Sequence, residues 1–166
     1  MQRSALFIRK AIKNDVPAIA SIYNEAIVNT TATFDTEPKS IDDRVAWLHQ
    51  HSDRYPVLVA LLQNEVVGFA SLTRWSDRTA YDYTAEISIY LKPAIHNAGY
   101  GKQLMKAIID AGKQGGLHTI LSRITQGNEK SIYLHSLHGF TKVGVLKEVG
   151  KKFGQWLDVT IMQLVY

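Results

Sequence analysis

The chain contains no cysteine. That excludes a disulfide framework and a protein thiol as nucleophile or metal ligand. Prolines number only four in 166 residues. No low-complexity tract, internal repeat or Pro/Ser-rich linker interrupts the sequence, so one domain over residues 1–166 is expected. No stretch approaches the roughly eighteen unbroken apolar residues of a membrane-spanning helix. The opening M-Q-R-S-A-L-F-I-R lacks the apolar core of a secretory leader. A cytoplasmic protein without a membrane partner is therefore expected. Long runs of one charge are missing as well. The formal net charge is +4, yet Lys151-Lys152 is the only adjacent pair of lysines. A nucleic-acid footprint clusters its cations on one face, so no nucleic-acid partner is expected. His135 and His138 lie three apart without a second ligand pair, and His49 and His51 would not share a helix face, so no metal is expected. A G-x-S-x-G elbow and a G-x-x-x-x-G-K-[ST] loop are both absent.

What is present is apolar periodicity in 46% hydrophobic composition. Residues 5–9 read as a first strand. Asn14 and Asp15 start a helix over 16–28, with Pro17 in its first turn. A polar loop carrying Phe34 follows, and Ser40 or Asp42 caps a second helix. Residues 57–62 and 66–73 form a hairpin about a tight turn at 63–65. A strand at 84–91, a helix after Gly101, a strand at 117–124 and a helix capped by Asn128 come next. Gly139 ends that helix, and strands near 140–147 and 157–165 finish the chain. The order β-α-α-β-β-β-α-β-α-β-β argues for an α/β (α+β) fold. Its sheet is mixed, with helices on both faces, rather than plainly doubly wound.

The densest chemistry runs from Thr84 to Asp110. In the strand, Ala85, Ile87, Ile89 and Leu91 share one face and Glu86, Ser88 and Tyr90 the other. A polar row in a central strand reads either as a cleft lining or as a solvent face. If it lines a cleft, Glu86 is placed to act as a general base, directly or through one water. The loop His96-Asn97-Ala98-Gly99-Tyr100-Gly101-Lys102 then opens a helix. It reads either as a phosphate cradle at a helix N-terminus or as an ordinary glycine turn. Leu104 occupies the third glycine position of the dinucleotide fingerprint and so breaks it. The loop from Arg74 to Tyr83 holds three aromatics and two arginines. Guanidinium forks there suit a carboxylate or phosphinate, the alternative being a hairpin loop with scattered surface residues.

These blocks together resemble the GNAT superfamily of acetyl-CoA-dependent N-acetyltransferases. At the place of the family signature Arg/Gln-x-x-Gly-x-Gly/Ala the chain reads His96-Asn97-Ala98-Gly99-Tyr100-Gly101. Within it, the chain is similar to the branch of phosphinothricin and methionine sulfone/sulfoximine acetyltransferases. Ile22-Tyr23-Asn24, Phe34-Asp35-Thr36-Glu37-Pro38, Tyr81-Asp82-Tyr83-Thr84-Ala85-Glu86, Gly139-Phe140 and the segment 153–159 extend that likeness over almost the whole chain.

The resemblance implies a mostly antiparallel central sheet of about seven strands and acetyl-CoA as co-substrate. It implies a small amino-acid-like amine as substrate and a homodimer. Ile89, Tyr90 and Leu91 would pair through their backbone with the pantetheine arm. Residues His96 to Lys102 would hold the pyrophosphate, and Asn128 and Ser131 would touch the cofactor. Glu86 matches the general base, and His135 stands where many relatives carry a tyrosine acid. Substrate contacts are expected from Phe34, Trp75, Ser76, Asp77, Arg78, Tyr83, Glu86, Ile87 and Ser88, with Arg78 taking the substrate's acidic end. One departure is evident. His96 puts a shorter ring where the signature has Arg or Gln. Acetylation of a peptide N-terminus or polyamine, or non-catalytic CoA sensing, are the rival readings.

Overall fold

The protein is described here by a computed structural model over residues 5–166. Strand β1 (Phe7–Lys10) leads into a short 3-10 turn and helix α1 (Val16–Asn29). The Asp15 carboxylate accepts from the Ile12 amide at 2.8 Å and from both terminal nitrogens of Arg9 at 2.7 and 2.9 Å. These bonds satisfy a buried charge at the entry to the helix. Ser40 caps α2 (Ile41–His49) through a reciprocal box with Asp43, each bond 3.0 Å. α2 docks on α1 through Arg44, whose guanidinium lies 3.8 Å from the Trp47 ring centre and 4.4 Å from that of Tyr23.

Strands β2 (Val57–Leu62) and β3 (Glu65–Arg74) form a hairpin. Its two loop residues, Gln63 and Asn64, both have positive φ. That is the primed turn geometry whose twist suits a two-residue connection. β4 (Thr84–Leu91), α3 (Tyr100–Gln114), β5 (Thr119–Thr125) and α4 (Glu129–Leu137) follow. The hairpin of β6 (Thr141–Lys152) and β7 (Gln155–Val165) closes the chain. β6 runs five residues beyond the stretch expected from the sequence, because Val143, Val145, Leu146 and Val149 stay exposed and give no clean alternation.

The seven strands form one sheet in the order β1-β2-β3-β4-β5-β7-β6. Every neighbouring pair is antiparallel except β4 and β5. One face buries Ala85, Ile87, Ile120 and Ile124 beneath Leu104, Met105 and Ile108 of α3, with Ile132 and Leu134 of α4 packed alongside. The other face sets Val59 and Phe69 against Ile19 and Ile22 of α1, with Trp47 of α2 and Tyr90 of β4. The alternation read from residues 84–91 therefore divides β4 between two cores, and it puts Glu86 and Ser88 on the α1 side.

Candidate active site

The single parallel junction of the sheet builds the site. β4 and β5 pair only at Thr84↔Thr119, Ala85↔Ile120 and Glu86↔Leu121. Beyond Glu86 the two strands run on without pairing, and a cleft of about 70 Å³ opens between them. Ile87, Ser88, Ile89 and Tyr90 line one side, and Ser122, Arg123, Ile124 and Thr125 the other. Asn128, Ser131 and His135 of the α4 region and Ala32 of the α1–α2 loop complete it. Backbone N–H and C=O groups of β4 that would otherwise join a ladder face this gap. A strand edge of that kind takes an extended, amide-bearing chain by hydrogen bonding.

Gly99 precedes α3 in the left-handed region at φ 84°. It has no side chain with which to cap the helix, and a helix N-terminus of this kind suits an anion. A Cβ added at Gly101 would meet only ordinary contacts, 3.5 Å from Leu91 and 3.7 Å from Leu134. The protein's own packing therefore does not demand glycine there. Asn97, also at positive φ, accepts from the ammonium of Lys130 at 3.2 Å, tying this loop to α4. Lys102 is exposed in the first turn of α3. His96 is turned elsewhere: its Nε2 donates to the Leu91 carbonyl at 3.0 Å. The ring thus bridges back to the end of β4 and does not reach over the helix start.

Glu86 sits at the fork of the strands, largely buried. Both of its oxygens are engaged by Arg123 of β5: Nη2 donates to Oε1 at 2.6 Å and Nε to Oε2. This pairing holds the Arg123 guanidinium still more firmly in its charged form. Arg123 is itself backed by Trp75, 5.6 Å from its ring centre. The sequence reading missed Arg123. The signal was a charge two residues past Leu121, on the same strand face as Glu86.

His135 is buried at 3% exposure. Its Nδ1 lies 2.7 Å from the Ser131 carbonyl, which can only accept, so Nδ1 carries the proton. Nε2 then accepts from the Ser122 hydroxyl at 2.9 Å. Burial holds the imidazole below its ordinary pKa, so both contacts describe a neutral ring. The proton on Nδ1 is committed to the backbone, and Nε2 is engaged by Ser122, which lines the cleft with it. Ser122 also went unnoticed in the sequence, although a serine between Ile120 and Ile124 interrupts an inward apolar row.

Several residues expected at the substrate lie outside the cleft lining. Arg78 is exposed in the turn before residues Thr79–Tyr81, where its amide donates to Ser76 Oγ at 3.3 Å. Asp77 is exposed beside it. Tyr83 is 54% exposed, with the Arg54 guanidinium 4.9 Å from its ring centre. The Phe34 ring packs against Gly150 of β6 in the space a side chain there would fill. The loop from Arg74 to Tyr83 therefore meets the site through Trp75. The loop after α1 meets it through Ala32 rather than Phe34. Asn128 is the N-cap of α4, accepting from the Ser131 amide at 3.2 Å, and it lines the cleft as well.

A strand fork at the sheet's parallel junction, beside a helix N-terminus without a side-chain cap, suits an extended, amide-bearing chain with an anionic end. A profile of the acetyltransferase (GNAT) domain family matches residues 8–161. The chain belongs to the GNAT acetyltransferases. It is an acetyl-CoA-dependent N-acetyltransferase, and the fold expected from the sequence is the one observed. Among its relatives is an L-methionine sulfoximine/L-methionine sulfone acetyltransferase of Pseudomonas paraeruginosa. That protein is 40% identical, and the match covers 95% of this chain and 92% of the relative. An N-acetyltransferase from Staphylococcus aureus superposes with a TM-score of 0.93 at 38% identity, covering 98% of this chain and 99% of the other. A phosphinothricin acetyltransferase from Sinorhizobium meliloti, in complex with acetyl-CoA, gives 0.92 at 32% identity, covering 96% and 88%.

The residues present fit that co-substrate. The gap beside β4 can take its extended arm, and the uncapped start of α3 can take its phosphates. Among the described residues no helix is long and apolar enough to cross a membrane, and no group of three or more His, Cys, Asp or Glu is gathered as for a metal.

Proposed function

We propose that this enzyme acetylates the α-amine of a small amino acid carrying a tetrahedral polar head, of the methionine sulfoximine, methionine sulfone or phosphinothricin type. The observation that carries the reading is the fork at Glu86, where a carboxylate pairs with Arg123 of the cleft lining. The names of the relatives support the substrate class.

Acetyl-CoA supplies an acetyl group activated as a thioester. Backbone groups of Ile89, Tyr90 and Leu91 pair with its arm. The loop from His96 to Lys102, with the first turn of α3, receives the pyrophosphate. Asn128 and Ser131 border the same arm. Glu86 removes a proton from the substrate ammonium, directly or through one water, and so frees the lone pair that attacks. A new C–N bond forms as the C–S bond breaks, and the electron pair leaves on sulfur. A backbone N–H of β4 can meet the negative charge that develops on the carbonyl oxygen. The attacking nitrogen sheds its second proton as the tetrahedral intermediate collapses, and the CoA thiolate takes up a proton from solvent. Ser122, held by His135 Nε2, can turn its hydroxyl toward the cleft and hydrogen-bond the leaving sulfur. His135, whose ring proton is committed to the Ser131 carbonyl, positions Ser122 and is not the direct proton donor expected from the sequence. Attack is direct, and the chain has no thiol to carry the acyl group. Holding the two substrates together in the fork supplies much of the rate.

The enzyme works as a single-domain homodimer in the cytoplasm. The hairpin of β6 and β7 supports the dimer. It exposes Val143, Leu146, Val149, Phe153 and Trp156 along the edge of the sheet, an apolar surface that solvent does not favour. The same hairpin touches the loop beside the cleft. Buried Lys152 donates to the Thr33 carbonyl at 2.8 Å, and Phe34 rests on Gly150.

Release of CoA thiol tests the substrate. The panel is phosphinothricin, methionine sulfoximine, methionine sulfone, an aliphatic diamine and a peptide with a free N-terminus. Turnover confined to the three amino acids is expected. Faster turnover of the diamine or peptide would replace them.

A further inference from the structure

The Glu86–Arg123 pair raises a difficulty for the proton transfer just described. A carboxylate whose two oxygens both accept from a guanidinium keeps only its remaining lone pairs for a second partner. Opening the pair frees both oxygens for the substrate ammonium. Arg123 is exposed at 57% and Glu86 at 18%, so the pair is half in water and adds little to the stability of the fold. Its placement suggests another use. The bond spans the fork: Glu86 belongs to the last β4–β5 pair, and Arg123 lies two residues further along β5, on the open side. Trp75 backs the guanidinium and sets it over the mouth of the cleft.

We propose that Arg123 is the carboxylate-recognition residue of the site, and that the amino-acid substrate enters by exchanging partners with the Glu86–Arg123 ion pair. The inference rests on the amino-acid reading above. An α-amino acid carries both charges of the pair on one carbon. Its carboxylate takes the fork of Arg123 in place of Glu86, and its ammonium takes Glu86 in place of Arg123. No charge is left without a partner at any stage, which an opening ion pair otherwise risks. The exchange places the ammonium against the carboxylate that must remove its proton. Glu86 is therefore released as a base only when a molecule bearing both groups arrives.

Selectivity follows from the same geometry. A polyamine brings a cation to Glu86 and leaves Arg123 unpaired beside it. A carboxamide analogue also fails to satisfy the guanidinium. Both meet a repulsive or unsatisfied group, which discriminates more strongly than a missing attraction. Arg78 is exposed and outside the cleft lining, whereas Arg123 lines the cleft and is paired with Glu86.

The experiment compares L-methionine sulfone with its carboxamide as acetyl acceptors for the full chain, for Arg123→Met and for Arg123→Lys. The wild type is expected to prefer the acid. Arg123→Met should raise KM for the acid by ~10- to 100-fold, the size of one charged hydrogen-bonded contact. Turnover of the carboxamide should hold or improve, and KM for acetyl-CoA should not move. Arg123→Lys should recover part of the preference. Because the side chain is exposed, these variants should melt close to the wild type. An Arg123→Met variant that keeps the full preference for the acid, or that loses acid and carboxamide alike, overturns the assignment while leaving N-acetylation of amino acids standing. A wild type that acetylates the carboxamide as well as the acid also overturns it. If the wild type acetylates neither, the amino-acid reading falls and the inference falls with it.

Discussion

Glu86, Arg123, Ser122 and His135 form two polar contacts on opposite faces of one fork in the sheet. The carboxylate and guanidinium lie on the α1 face, and the serine and imidazole on the α3 face. Each pair links a residue expected from the sequence to one that was missed, for the same reason. Glu86 and His135 stand out within their own segments, a carboxylate in an apolar strand and a histidine near a helix end. Arg123 takes its meaning from β4–β5 pairing across 37 residues of chain, and Ser122 from the packing of α4, 13 residues on, against β5, and no local pattern encodes either. His96 is the opposite case. Its place in the signature was legible, but the direction of its ring was not, because the Leu91 carbonyl competes for Nε2. His96→Arg restores a long cation that can pass the end of β4 toward the phosphates. KM for acetyl-CoA should then fall by up to ~10-fold, about 1.4 kcal/mol. An unchanged KM would mean that the backbone and Lys102 carry the phosphate contact alone.

At the scale of elements, the order of strands and helices was readable because periodicity, caps and turns agree. Ser40 before α2, Asn128 before α4 and the Gln63-Asn64 turn each do locally what their chemistry favours. What stayed hidden was the early end of β4–β5 pairing. Both strands continue as regular extended chain after they part, so nothing in either sequence marks the fork. The joint between α4 and β5 carries its own prediction. Burial lowers the pKa of His135, and that of His51 beside α2 for the same leading reason. Unfolding returns each ring to its ordinary value of 6.5. Between that value and the depressed one, the unfolded chain binds the extra protons, so stability rises with pH in this window. Above the ordinary value this stabilisation is complete. As pH falls below it the stabilisation is lost, until the folded rings also protonate. Thermal melts from pH 7.5 to 5 should show Tm falling in the wild type and falling less in His135→Gln. Equal pH slopes for the two proteins would place the titrating group elsewhere.

At the scale of the whole molecule, one sheet carries α3 and α4 on one face and α1 and α2 on the other. The α1–α2 loop reaches the cleft through Ala32 and touches the β6–β7 hairpin through Thr33 and Phe34. The apolar edge of that hairpin predicts a dimer by light scattering at micromolar concentration. The double substitution Leu146→Asp and Val149→Asp, on exposed positions, should give a folded monomer with a raised KM for the amine. A wild type that is monomeric at that concentration would reject the dimer. The central claim is that this fork transfers acetyl from acetyl-CoA to an amino acid with Glu86 as base. Its most direct measurement is the steady-state rate of thiol release with L-methionine sulfoximine, for the wild type beside Glu86→Gln, together with acetyl-CoA affinity by calorimetry. The account predicts amine-dependent turnover in the wild type, a fall in kcat of ~10²-fold or more in the variant, and unchanged acetyl-CoA affinity. Turnover no faster than in an amine-free control, or equal kcat in the two proteins, would contradict it.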